Sequence, residues 1–183
     1  MTTIYLVRHG QAEAGWSTQR DPGLNETGRQ QAYQAARAFA EREPLPVVTS
    51  PLRRARETAH EFEMMWRRPA VVDDRVAEIP SQGMTLAERG EWLKALTKRR
   101  WLDLDEEAIA NWRRTAIESL LEIEQDTIVV SHFMVINAVV SWATDDERVV
   151  CCQPMQGSRT TLERVGEALR VVEVGAQGTS TVL

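Results

Sequence analysis

Four consecutive apolar residues, Ile4-Tyr5-Leu6-Val7, run straight into Arg8-His9-Gly10. A run this short, with β-branched and aromatic members and no polar alternation, reads as a strand buried on both faces. Such a strand belongs to a sheet with helices on either side, and such sheets place their reactive groups just beyond the carboxyl ends of the strands. The next three residues suit that place. Arginine presents a planar fork of donors matched to phosphate oxygens. Histidine serves as nucleophile or proton carrier near neutral pH. Glycine lets the backbone turn and approach a ligand closely.

The rest of the chain alternates in the same sense. Thr2–Arg8 reads as the first strand. A polar loop with Gly15 and Asp21-Pro22-Gly23 follows, and Asn25 caps a helix running to about Glu43, with Ala32, Ala35, Ala36, Phe39 and Ala40 on its apolar face. Pro46–Thr49 is a second strand. Ser50-Pro51 has the form of a helix start, serine at the cap and proline at the first helical position. Leu52, Ala55, Ala59, Phe62 and Trp66 make that helix's buried stripe. Ala70–Val72 reads as a strand and Arg75–Ala77 as an extended approach to Glu78. Helices are expected over 84–99 and about 105–124, the second with Asp103 and Glu106 as a capping pair. Thr127–Ser131 is a strand, Phe133–Trp142 a helix, and Ser158–Glu163 with Ala168–Val174 a hairpin around Val165-Gly166. The predicted fold class is α/β: a three-layer α/β/α arrangement with a mostly parallel central sheet, the hairpin adding an antiparallel edge.

A chain of 183 residues suffices for a single domain over 1–183 with a full core. Within it, the tryptophan-rich segment at about 80–124 is expected to form a helical cap over the site. The net charge of −5 argues against a broad nucleic-acid surface. No apolar run approaches the ~18 residues that cross a bilayer, and no secretory leader pattern is visible. Cys151 and Cys152 are adjacent, a spacing unsuited to a structural disulfide, and two thiols alone do not complete a zinc site. They read as reduced, small buried hydrophobes, and the compartment as cytoplasmic.

His9 and His132 each follow an apolar strand. If those strands are neighbours, the two imidazoles face each other at one rim of the sheet. His60, on a helix between Ala59 and Glu61, reads as a surface residue. Arg53, Arg54 and Arg56 crowd the first turns of the helix after Ser50, where each exposed cation opposes the helix dipole by ~0.3–1 kcal/mol. A bound anion removes that conflict and uses the free backbone N–H groups. One arginine aimed at the site suffices; the others suit a solvated face against Glu57, Glu61 and Glu63. Glu78, in a loop after a short apolar stretch, has the chemistry of a general acid if it sits beside imidazole and phosphate. Trp92, Trp101 and Trp112 suit packing between two helices, and Lys98-Arg99-Arg100 suits a helix C-terminus. Gln11, Trp16 and Phe133 are the candidates to line the substrate space.

Taken in order, these segments resemble the histidine phosphatase superfamily, also called phosphoglycerate mutase-like. Leu6-Val7-Arg8-His9-Gly10 is similar to its Arg-His-Gly signature, and Leu24-Asn25-Glu26-Thr27-Gly28-Arg29-Gln30-Gln31-Ala32 to the start of its first helix. Thr49 to Ala59 resembles its second signature, Val129-Val130-Ser131-His132 its late histidine segment, and Gly157-Ser158 the strand start that follows. The resemblance implies His9 as a nucleophile that becomes phosphorylated. It implies Arg8, Arg54 and His132 around the phosphoryl oxygens, and Glu78 as proton donor. It implies no metal and no cofactor.

Three departures shape the expectation. Phe133 stands where the family often has glycine, narrowing the room and resisting a positive φ. Ala12 and Gly15 stand where many mutase-like members have serine and asparagine. The stretch Glu78-Ile79-Pro80-Ser81-Gln82-Gly83 lacks the acidic-glycine pattern of several branches. With a chain shorter than the sugar-acid mutases, these favour a metal-independent phosphatase of phosphate monoesters, of the histidine acid phosphatase type. The alternatives are a phosphohistidine protein phosphatase, a phosphoglycerate-type mutase and a non-catalytic phosphate-binding protein. The expected partner is a small phosphorylated metabolite or a phosphoprotein, with neither nucleic acid nor membrane, and a chain of this class suits a homodimer.

Overall fold

The computed structural model describes residues 1–15, 17–81 and 83–178. Its strands are β1 (Thr2–Arg8), β2 (Val47–Thr49), β3 (Val71–Val72), β4 (Thr127–Ser131), β5 (Arg159–Val165) and β6 (Ala168–Glu173). They form one sheet in the order β3-β2-β4-β1-β5-β6. The first four in that order run parallel, and β5 and β6 run antiparallel, as the alternation of strands and helices predicts. The helices are α1 (Glu26–Arg37), α2 (Arg53–Trp66), α3 (Leu86–Leu96), α4 (Glu107–Leu121) and α5 (Phe133–Ala143).

Side chains alternate across a strand, so a run apolar at every position must serve two cores. On one face of the sheet Tyr5, Val7, Ile128 and Val130 pack with Ala36 and Phe39 beside α1 and with Ala55 and Phe62 of α2. On the other, Ile4, Leu6 and Val129 pack with Leu93, Leu96, Leu120, Met134 and Val135 from α3, α4 and α5. Among the described residues no helix is long and apolar enough to cross a membrane.

Several boundaries differ from expectation for local reasons. The first helix stops at Arg37 rather than near Glu43, because the chain tightens into i→i+3 turns that bring Phe39 edge-on to Tyr5, 5.0 Å between rings. Ser50 does not cap α2; the helix starts at Arg53 with Leu52 at the cap, and the Ser50 hydroxyl accepts from the Leu52 N–H at 3.2 Å and meets His132 Nε2 at 2.7 Å. Arg75 is not extended: Asp74–Val76 forms a 3-10 turn capped by Asp73, and Arg75 reaches both Asp73 (2.9 Å) and Glu122 (2.7 Å). The Asp103–Glu106 capping pair does not form. Trp101–Asp103 is a 3-10 turn, and Arg99 engages the Asp103 carbonyl and the Glu106 carboxylate. The helix over 84–99 shortens to α3, whose start is a capping box between Thr85 and Glu88.

The segment expected to cap the site divides in two. α3 carries Arg89, whose charge acts on the site. α4 lies in the sheet-covering layer, with Ile109, Trp112, Ala116 and Leu120 in the core. Trp101 and Trp112 are core residues with satisfied indoles, donating to Ser141 Oγ at 2.8 Å and the Ala77 carbonyl at 2.9 Å. Trp92 packs partly buried against the same core.

Candidate active site

β1 and β4 are parallel neighbours with Arg8 opposite Ser131, so the next residues, His9 and His132, leave the sheet side by side. Their ring centroids are 5.1 Å apart. Arg54, from the first turn of α2, reaches between them, its Nε donating to His9 Nε2 at 3.1 Å. Since Nε2 accepts, the ring proton sits on Nδ1, which donates to the Gly10 carbonyl at 2.7 Å. The tautomer is therefore set by the loop, and the Nε2 lone pair is the one facing the arginines.

The loop is held by contacts that need its glycine. Gly10 N–H donates to Thr58 Oγ1 at 3.1 Å, and Thr58 Oγ1 donates to the Arg54 carbonyl at 2.8 Å, tying the turn to α2. A Cβ on Gly10 would fall 2.2 Å from the Gly28 carbonyl oxygen, and one on Gly28 would fall 2.0 Å from that of Gln11. Backbone meets backbone here, which only glycine at both positions permits. From the antiparallel side, Gly157 N–H donates to the carbonyls of Arg8 (2.9 Å) and His9 (3.3 Å).

Arg8 lies with its Cζ 5.0 Å from the Phe133 ring centre and donates from Nη1 to the Pro154 carbonyl at 2.7 Å. Phe133, expected to line substrate space, is buried beneath this guanidinium and heads α5, so no positive φ is asked of it. Gln11 is exposed on the loop, its backbone N–H donating to Gln31 Oε1 at 2.8 Å. Trp16 lies outside the described residues. Arg53 points away to Glu57 at 2.7 Å, Arg56 is exposed, and His60 is exposed beside Glu63 at 3.2 Å.

Glu78 is brought in by a braced segment. Ser131 Oγ donates to the Val76 carbonyl at 2.7 Å, and the Trp112 indole holds the Ala77 carbonyl next to it. Glu78 Oε1 accepts from the Ile79 N–H at 3.0 Å, and Oε2 has no hydrogen-bond partner among the described residues. One further cation, Arg89, is not among the candidates the sequence offers. It is buried, and its charge acts on Glu78, Arg54 and His132. A lone arginine in a charged helical stretch carries no signal of inward aim.

Exposures in this cluster are 7% for Arg8, 5% for His9, 1% for Arg54, 6% for Glu78 and 0% for His132. Burial at that depth sets the protonation states. His9 and His132 are held well below the usual imidazole range, first by desolvation and then by Arg54 and the other cations. Arg8 is pulled down to about 10 and Arg54 also falls, both chiefly through burial. Glu78 is pushed up by burial, against the pull of Arg54, the Ile79 N–H, Arg8 and Arg89.

Arg8 Nε, both Arg54 Nη atoms and His132 Nδ1 are buried without hydrogen-bond partners among the described residues. Asp21 lies 3.8 Å from Arg54 Nη1. Buried guanidinium N–H groups left unpaired cost several kcal/mol unless an anion satisfies them. The cluster thus offers an imidazole lone pair, converging cationic donors and a carboxyl biased towards its protonated form.

Residues 4–177 match the histidine phosphatase superfamily (branch 1). The probable phosphoglycerate mutase GpmB of Erwinia tasmaniensis is 30% identical over 162 residues, covering 77% of this chain and 74% of that one. A glucosyl-3-phosphoglycerate phosphatase of Mycolicibacterium vanbaalenii is 38% identical over 89 residues, 45% of this chain and 40% of that one. A bifunctional protein of Mycobacterium tuberculosis is 39% identical over 109 residues, 55% of this chain, and the chain spans only 30% of its length. Among solved structures, Bacillus stearothermophilus YhfR superimposes with a TM-score of 0.77 at 22% identity, over 94% of this chain and 96% of that one. That last likeness speaks for the fold.

Proposed function

We propose that this chain, which belongs to the histidine phosphatase superfamily, hydrolyses phosphate monoesters through a phosphohistidine on His9. The observation that carries the reading is His9 itself. Its Nδ1–H is fixed on the Gly10 carbonyl, so Nε2 turns its lone pair towards the otherwise unpaired donors of Arg54. The named activity of the mycobacterial relative, a phosphatase, supports the same class of reaction.

In the first step His9 Nε2 attacks phosphorus in line with the ester oxygen. Arg54 Nε, which otherwise donates to that lone pair, transfers its hydrogen bond to a phosphoryl oxygen. Arg8 and Arg54 neutralise charge on the equatorial oxygens from positions fixed before the reaction. Glu78, which burial biases towards its protonated form, gives its proton to the leaving oxygen as the P–O bond breaks. In the second step water attacks the phosphohistidine, Glu78 takes its proton, and the P–N bond breaks to return neutral His9 and inorganic phosphate. His132 accepts from or donates to Ser50 at Nε2. With Ser50 donating, its own proton sits on Nδ1 and meets a phosphoryl oxygen. Its part is that of a neutral donor, since burial and the neighbouring cations hold its pKa well below the usual imidazole range.

The depth of the cradle favours a small phosphorylated metabolite over a phosphoprotein, because a protein backbone must stay at the rim. We place the reaction in the cytoplasm, without a metal. The test is turnover of p-nitrophenyl phosphate in EDTA, with acid-labile, base-stable phosphate on the wild-type chain after rapid quench. His9→Ala should abolish both; a His9→Ala enzyme with undiminished turnover refutes the assignment. Transfer of the phosphoryl group between hydroxyls, with none released to water, would instead make the chain a mutase.

A further inference from the structure

We infer that Cys151 and Cys152 form a peroxide-reactive dithiol whose closure to a vicinal disulfide loosens the anchor of Arg8. Adjacent side chains of an extended backbone point to opposite sides, but here both are gathered on one buried residue. Asn137 Oδ1 accepts from Cys151 N–H at 2.8 Å and Cys152 N–H at 2.9 Å. Successive N–H groups converging on one oxygen require a curled backbone. The sulfurs follow it: Cys151 Sγ lies 3.8 Å from the Asn137 carbonyl oxygen and Cys152 Sγ 3.5 Å from Asn137 Oδ1. Cys151 is partly exposed and Cys152 is buried, which makes the first the accessible thiol and the second its resolving partner.

The surroundings suit that division. Arg113 of α4 and Arg148 both feel the charge of Cys151, with Asp146 opposing. The Cys152 thiol lowers the Cys151 pKa by hydrogen bonding to it. The Cys151 thiolate attacks hydrogen peroxide, the O–O bond breaks, and hydroxide leaves a sulfenic acid. Cys152 sulfur then attacks that sulfur, the S–S bond forms, and water departs. The dithiol loses two electrons and two protons, and the peroxide is reduced to water. Neighbouring Cα atoms are about 3.8 Å apart, shorter than the usual disulfide span of roughly 4.4–6.8 Å, so the ring is strained and easily reduced.

The link to the site runs through the same asparagine. Asn137 Nδ2 donates to the Phe133 carbonyl at 3.0 Å, and the Phe133 ring underlies Arg8. Two residues beyond Cys152, the Pro154 carbonyl accepts the Arg8 Nη1 hydrogen bond. Asn137 therefore clamps together both supports of Arg8, and a ring closed at 151–152 pulls one of them away. This consequence rests on the proposed phosphate site; the disulfide does not.

The test treats the full chain with hydrogen peroxide and reads intact mass, a peptide map and the calorimetric affinity for inorganic phosphate. The expected result is loss of two hydrogen atoms, a Cys151–Cys152 cross-link, and phosphate binding weaker by about tenfold, all restored by dithiothreitol. Cys151→Ser and Cys152→Ser should bind phosphate as the reduced wild type does and resist the change. Added oxygen without a cross-link would overturn the pairing. A cross-link that leaves phosphate affinity unchanged would overturn its connection to Arg8. If the reduced chain binds phosphate but never turns over ester, the functional reading fails while this one stands.

Discussion

Acid should destabilise this protein in a window where most domains are indifferent, and the reason lies in its two buried imidazoles. His9 and His132 are held far below their ordinary pKa by burial and by neighbouring guanidinium groups. Unfolded, each binds a proton near pH 6.5. The unfolded chain therefore takes up protons that the folded chain refuses, so stability is present above about pH 6.5 and is lost as pH falls. Between pH 7.5 and 5.5 each histidine costs about 1.4 kcal/mol and the pair about 2.7 kcal/mol, a large part of a typical total of roughly 5–15 kcal/mol. Glu78 works the other way. Its raised folded pKa contributes stability that is full below its unfolded value and disappears as pH rises, so acid gains through it. Glu78→Gln removes that offset. Urea unfolding of Glu78→Gln at the two pH values, followed by tryptophan fluorescence, should show the full loss, and the Glu78→Gln, His9→Ala double variant about half of it. A loss below about 1 kcal/mol in Glu78→Gln would mean the imidazoles titrate normally, and the charge-crowded reading of the site would fall.

Other outcomes follow from single contacts. Arg54→Ala should lower kcat/KM for p-nitrophenyl phosphate by about 10²–10³, and Arg54→Lys should not restore it, because a point charge cannot span His9 and two oxygens; Arg53→Ala, pointing outward, should stay close to wild type. Glu78→Gln should slow hydrolysis of alkyl phosphates far more than of p-nitrophenyl phosphate, whose leaving group needs little protonation, and equal losses in steady-state kinetics would contradict the acid role. Arg89→Met removes a cation that holds the Glu78 pKa down, so the alkaline limb of the kcat–pH profile should move to higher pH; a downward move would place Arg89 elsewhere. Gly28→Ala puts a methyl 2.0 Å from the Gln11 carbonyl oxygen, and calorimetry should show a loss of roughly 1–3 kcal/mol or more.

What could be read from the sequence was set by how far each signal depends on its own neighbours. β1 and β4 end where expected, because strands buried on both faces are written as unbroken apolar runs. The pairing of His9 with His132 follows from those two ends. Arg54 was distinguishable from Arg53 and Arg56 only through the family resemblance, since all three lie in one turn. Other features depended on distant partners. Ser50 looks like a cap, but the cap falls at Leu52 and the Ser50 hydroxyl also meets a histidine 82 positions away. Phe133 looks like a wall of the pocket, yet it is the floor under Arg8. Arg89 is written among charges and becomes buried only when α3 packs over the sheet.

β1 sits between β4 and β5, and those partners are residues 127–131 and 159–165. The strand that leads into His9 is synthesised before both of these partners and must wait for both flanks. Gly157, which bonds to the Arg8 and His9 carbonyls, arrives later still than β4. Until residues 157–165 have been added, the proposed site therefore lacks the flank that fixes Arg8 and His9. Chains truncated before that stretch should be inert towards phosphate esters although every side chain of the reaction has already been made.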